Sequence, residues 1–162
     1  SLVLLVYGVS VAIGNLWGGR LADRLGPVPA LKRIFALLAL VLFVLTFTAH
    51  NTWLMLLTVL ALGAVAFGNV PGLQVYVVKQ AQRYAPQATD VASGLNIAAF
   101  NIGIALGASL GGLVVEHIGL MHTPWLGALV VLAAYALTAL SGRLDRRDGV
   151  DHRAEGIAAA AH

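Results

Sequence analysis

Four stretches of the chain, residues 1–19, 34–78, 91–115 and 118–142, contain no Lys, Arg, Asp or Glu, and apolar side chains run through them without leaving one polar face per helix. A helix that is apolar all round is enclosed by protein or by lipid, whereas one at a water-facing surface keeps a polar stripe. Hydrocarbon about 30 Å thick is crossed by about 20 helical residues. The first, third and fourth stretches therefore fit one span each, and the second is long enough for two. It divides at His50-Asn51-Thr52, a polar turn followed by Trp53, whose amphipathic ring suits the membrane interface. The pattern predicts an all-α membrane protein with five transmembrane helices near residues 2–17, 31–49, 53–72, 91–115 and 125–141. Residues 1–142 form the helical bundle on this reading. Residues 143–162, polar, charged and then Ala-rich, are expected to be a disordered tail.

Charge placement adds a direction. Arg20, Arg24, Lys32 and Arg33 fall in the first connection, Lys79 and Arg83 in the third, and Arg143, Arg146, Arg147 and Arg153 in the tail, which accounts for all 10 cations. The alternate connections, at His50 and at residues 116–123, have none. The positive-inside rule puts the cationic side in the cytoplasm, Ser1 outside and the tail inside. The sequence pI near 9.7 thus reports topology and contact with anionic headgroups, not a nucleic-acid footprint.

Composition closes off other classes. Of 162 residues, 59% are hydrophobic and 10% charged, with a mean hydropathy of +0.86; soluble domains carry about 25% charged residues. Neither a water-soluble globule nor a disordered chain has this make-up. The chain has no cysteine, so disulfides, thiolate nucleophiles and Cys-based metal sites do not arise. The five histidines lie at span ends or in the tail, and no H-E-x-x-H or G-x-S-x-G occurs. Metal, hydrolase and cofactor readings have no residues to stand on. An odd number of spans entered directly at Ser1, without a cleavable leader, reads as a fragment.

Gly19-Arg20-Leu21-Ala22-Asp23-Arg24-Leu25-Gly26 places an acid and two glycines in a basic loop. Gly19 permits close backbone packing, Gly26 a tight turn, and Asp23 pairs with Arg24 or faces a helix N-terminus. This octapeptide resembles the G-x-L-a-D-r-x-G loop of the major facilitator superfamily, although Pro27 and Val28 stand where the family has a basic pair. Gly103-xxx-Gly107-Ala108-xx-Gly111-Gly112 in the fourth span resembles the family's antiporter motif, with Ala108 replacing its proline. From the residues alone these glycines form a helix-packing stripe. The segments Asn69-Val70-Pro71-Gly72-Leu73-Gln74, residues 92–103 and Thr123-Pro124-Trp125 look like bacterial arabinose-efflux permeases and related drug or sugar exporters. The resemblance implies a partial major facilitator fold, helices eight to twelve of twelve, in the bacterial inner membrane. It also implies a missing N-terminal half as partner and export of a small-molecule substrate in exchange for protons.

Polar groups inside the spans are the site candidates, because an amide in lipid is costly unless hydrogen-bonded. Asn96 and Asn101 are five positions apart, about 140° around the helix axis. Asn96 shares a face with Phe100, Gly103 and Gly107, taken as the packing side; Asn101 shares the face of Gly94, Ala98 and Ala105 and is the first cavity candidate, with Asn96 second. Hydrogen bonding between helices, with no substrate contact, explains the two amides equally well. Asn69 and Gln74 flank an expected helix break at Pro71-Gly72, where they satisfy freed carbonyls or face a cavity. Phe100 and Phe67 are candidates to line an apolar path, with core packing the commoner use; Tyr7 and Ser10 are weaker candidates. No ionisable residue lies mid-span, so proton coupling would place its titrating group outside this chain; Glu116, His117 and His122, at the outer end of the fourth span, are as well explained by an interfacial loop. The alternative to a transporter is a non-transporting membrane scaffold.

Overall fold

The structure is a computed structural model that describes the backbone of residues 2–48 and 50–160 and the side chains of residues 5, 8–48 and 50–148. Five long helices make up the described chain: α1 (Leu2–Leu25), α2 (Pro27–Thr48), α3 (Thr52–Tyr84), α4 (Thr89–His117) and α5 (Thr123–Ala160), with 3-10 turns at Pro86–Ala88 and Leu120–His122. Among the described residues there is no strand. Four segments, Pro27–Thr48, Thr52–Tyr84, Pro86–His117 and Leu120–Asp148, are long and apolar enough to cross a membrane. The fifth expected span lies in α1, charge-free from residue 2 to residue 19.

The connections follow from single residues. Gly26 adopts φ +83°, the left-handed conformation glycine enters without steric cost, and it alone joins α1 to α2. Asn51 starts α3 by accepting from the Trp53 and Leu54 amides at 3.1 and 3.3 Å, so two of the free N–H groups at the helix start are satisfied. Gly119, at φ +107°, turns the chain between α4 and α5.

The helices run well past the expected span ends. α1 continues from Trp17 to Leu25, and α3 continues for 12 residues beyond Gly72. A charge-free run measures hydrocarbon thickness, whereas a helix ends where backbone chemistry ends it; Leu, Ala, Arg, Lys and Gln are good helix formers in water as well. The break expected at Pro71-Gly72 is absent, and α3 passes through Pro71 as one helix. Helix α2 supports it there, since the fully buried Leu31 lies against Gly72, 3.1 Å from where a Cβ would stand. Likewise α5 runs on to Ala160 through residues expected to form a disordered tail; that segment is rich in Ala and Arg, which favour helix.

Helix α2 is the centre of the bundle. It packs on α3 and along α5, while α1 packs chiefly on α3. Ile34, Leu38 and Val65 form the core, flanked by Leu21, Val41, Leu42, Leu62, Ala66 and Val131. The closest approach is between α1 and α3: a Cβ on Gly14 would stand 2.1 Å from the Ala64 carbonyl oxygen, and one on Gly18 2.0 Å from that of Gly68. Small residues four apart on both helices make this backbone contact, which in lipid gains dispersion and costs little side-chain entropy. Helix α4 is different. It meets α3 over a limited stretch and has no buried residue.

Candidate functional site

The contact between α3 and α4 is polar. Gln74 on α3 donates from Nε2 to the Ser93 hydroxyl of α4 and accepts through Oε1 from Asn96 Nδ2 at 2.7 Å. One glutamine thus ties two positions three residues apart on a neighbouring helix, the spacing that puts them on one face. Pairing is what permits such amides in a low-dielectric setting.

Beside this pair lies a groove of about 400 Å³ lined by Leu73 of α3 and by Asn96, Ala99, Phe100, Gly103 and Ile104 of α4. The α4 residues recur at three- and four-residue intervals, so one helix face makes the wall, and Gly103 leaves it open. The lining is apolar except for Asn96, whose Oδ1 has no hydrogen-bond partner among the described residues. One turn along α3 from Leu73, Asn69 Oδ1 is buried and also without a partner. Such an acceptor costs roughly 1–3 kcal/mol unless something donates to it. The arrangement suits a small solute bearing hydroxyl or amine donors on an apolar body.

The other candidates are distributed differently. Asn101 is exposed and donates to the Ile97 carbonyl of its own helix at 3.0 Å, away from the groove, while Asn96, expected on a packing face, forms the groove wall. Phe100 lines the groove, whereas Phe67 is half-buried in α3 and does not line it. Tyr7 lies outside the residues whose side chains are described. Ser10 is buried and donates to the Leu60 carbonyl, joining α1 to α3. Gly19 faces Pro71, 3.9 Å from where a Cβ would stand. Asp23 and Arg24 are exposed, and among the described residues Asp23 forms no ion pair with Arg24.

Among the described residues the expected packing stripe faces open space: a Cβ on Gly103, Gly107, Gly111 or Gly112 would meet nothing within 4 Å. Close helix approach occurs at Gly14, Gly18 and Gly68, among other glycines. Their spacing was visible in the sequence, but many small residues share it. Ser93 and a second polar cluster also escaped notice. At the far end of α3, Tyr76 donates to Asp145 of α5 at 3.0 Å and Gln80 donates to the same carboxylate at 2.6 Å, while Tyr84 donates to Asp148 at 3.0 Å. Tyr76, Gln80 and Tyr84 recur every four residues, which signals a shared face but not its partner.

Comparison with known proteins extends this picture. The family model described as Major Facilitator Superfamily matches residues 1–159. An uncharacterized MFS-type transporter, YtbD of Bacillus subtilis (strain 168), is 53% identical over 148 residues, 91% of this chain and 37% of its own length. The inner membrane transport protein YdhP of Escherichia coli (strain K12) is 37% identical over 87% of this chain and 35% of its own length. A probable sugar efflux transporter of Pasteurella multocida (strain Pm70) is 34% identical over 86% of this chain and 33% of its own. The chain thus spans little more than a third of the length of these relatives. No solved structure matches it.

Proposed function

We propose, because this chain belongs to the major facilitator superfamily, that it is part of a secondary active transporter, not an enzyme, and that the transporter exports a sugar or drug-like small molecule by alternating access. The Gln74–Asn96 amide pair at the edge of the α3–α4 groove is the observation that carries this reading. Asn96 offers an acceptor, Phe100 and Leu73 an apolar wall, and Gln74 holds Asn96 in position. The relative named as a probable sugar efflux transporter supports a polyol-like substrate and outward transport.

Helix α4 leaves its small-residue stripe uncovered, and the relatives are nearly three times as long as the matched region. The remainder of the transporter, including an N-terminal half, packs on that face in this proposal, and the groove is closed into a cavity between the two bundles. Rocking of one bundle against the other then exposes it to each side in turn. The cationic ends lie in the cytoplasm. Export is coupled to proton entry, with the titrating group supplied by the other half, because the spans here hold no mid-membrane ionisable side chain.

The test is transport by the full-length protein in proteoliposomes loaded with a panel of monosaccharides and cationic drugs. Export of at least one solute driven by a pH gradient, and lost on adding a protonophore, is the expected result. A gradient-independent membrane protein that moves none of the panel, yet assembles with other subunits, would instead be the scaffold.

A further inference from the structure

Where α2 and α5 meet at the cationic end of the bundle, a pocket of about 270 Å³ is lined by Pro29, Lys32, Arg33 and Ala36 of α2 and by Tyr135 of α5. Both walls are fixed: Val28 packs against Gly142 and Leu42 against Gly127, so the two helices are in contact above and below it. Lys32 is half-buried, with Nζ 5.7 Å from the centroid of the Tyr135 ring, a cation–π arrangement. Arg33 is exposed. Among the described residues neither cation forms an ion pair, so two positive charges converge on one pocket without a carboxylate to neutralise them.

We propose that this pocket binds the phosphate headgroup of an anionic phospholipid. The chemistry that recognises the anion, an ammonium and a guanidinium side by side, would serve a free phosphate as well. What selects the lipid is the surface that continues from Arg33. Leu37, Leu40, Val44 and Phe47 follow it at intervals of three and four residues, all exposed, and so form one outward stripe along α2. A phospholipid uses both parts, its phosphate on Lys32 and Arg33 and its acyl chains on the stripe. A soluble anion uses only the first. The pocket spans residues 29–36, about 10 Å of helix, the depth at which long cationic side chains reach from hydrocarbon to the interface. Basic pockets between transmembrane helices are a recognised form of anionic-lipid site.

The experiment is native mass spectrometry of the full-length protein in non-ionic detergent, titrated with phosphatidylglycerol or with phosphatidylcholine of the same acyl chains. The wild type is expected to retain phosphatidylglycerol preferentially. At about 1 kcal/mol per cation, K32Q/R33Q should lower that retention by roughly tenfold or more. K79Q/R83Q removes the same charge from the end of α3 and should leave retention unchanged. R33Q alone alters only an exposed side chain and should give an intermediate loss, which keeps the test decisive if the double variant is unstable. Equal retention of the two lipids by the wild type overturns the proposal. So does an equal loss in K79Q/R83Q, which would mean diffuse attraction, or displacement of the lipid by millimolar inorganic phosphate, which would mean a soluble-anion site.

Discussion

At the scale of single residues, the difference between Asn96 and Asn101 is what the two amides are bonded to. Asn96 spends its N–H on Gln74 of another helix and keeps a carbonyl free at the groove. Asn101 spends its own on Ile97, a bond that any position of α4 relative to its neighbours preserves. Substituting Asn96 by Ala removes one groove acceptor and leaves the Gln74 carbonyl without its donor, at roughly 1–3 kcal/mol. Solute export by the full-length protein should therefore fall about 5- to 100-fold for Asn96→Ala. Asn101→Ala should stay within about twofold, because a hydrogen bond between a side chain and its own helix contributes little. Initial export rates normalised to membrane abundance check both, and equal losses would remove Asn96 from the site. The sequence identified both amides because their cost in lipid is independent of context. It placed Asn101 first, whereas Asn96 is the one that lines the α3–α4 groove; the direction α4 faces is set by α3, through Gln74 and Ser93, and no periodicity within α4 contains that information.

At the scale of helices, close approach is decided where a side chain is missing. Gly18 meets Gly68 backbone to backbone, with no room for even a methyl group, so Gly18→Ala forces α1 away from α3. Overpacking of this kind costs about 1–3 kcal/mol, and the thermal midpoint of the purified full-length protein should drop by several degrees, read by tryptophan fluorescence. The α3–α5 pair depends on the opposite device, long polar side chains across a gap. Asp145 receives both Tyr76 and Gln80, and hydrogen bonds to a charged group contribute about 1.5–3 kcal/mol. Asp145→Ala should lower the same midpoint, while Asp145→Asn, which keeps one acceptor, recovers part of it. The starts of most of these helices were largely legible in advance, since turn chemistry such as that of Asn51 acts locally. Their inner ends were not: Lys79 and Arg83 mark where water begins, yet α3 continues through both to Tyr84.

At the scale of the whole molecule, helix number and the sidedness of charge constrain each other. Five helices joined by short turns put His50 and Glu116 at one end of the bundle and Gly26, Pro86 and the far part of α5 at the other, and all 10 cations belong to the second end. This much was readable from charge spacing, because moving a cation across hydrocarbon costs several kcal/mol whatever the fold. The packing of α4 was not readable in that way, since lipid and protein are equally apolar surroundings for its glycines. The absence of cysteine in this chain allows the orientation to be measured by introduced thiols. Asn51→Cys and Glu116→Cys should react with an impermeant maleimide added to intact cells, while Arg83→Cys and Arg147→Cys should react only after permeabilisation. Gly107→Cys tests the remaining surface: it has open space around it here, so protection of this thiol in the full-length protein, with reactivity that changes when substrate is added, is the outcome expected if the rest of the transporter moves against α4. A Gly107 thiol that stays reactive toward lipid-soluble maleimides under every condition would mean that this face meets only lipid, and the two-bundle mechanism would lose its interface.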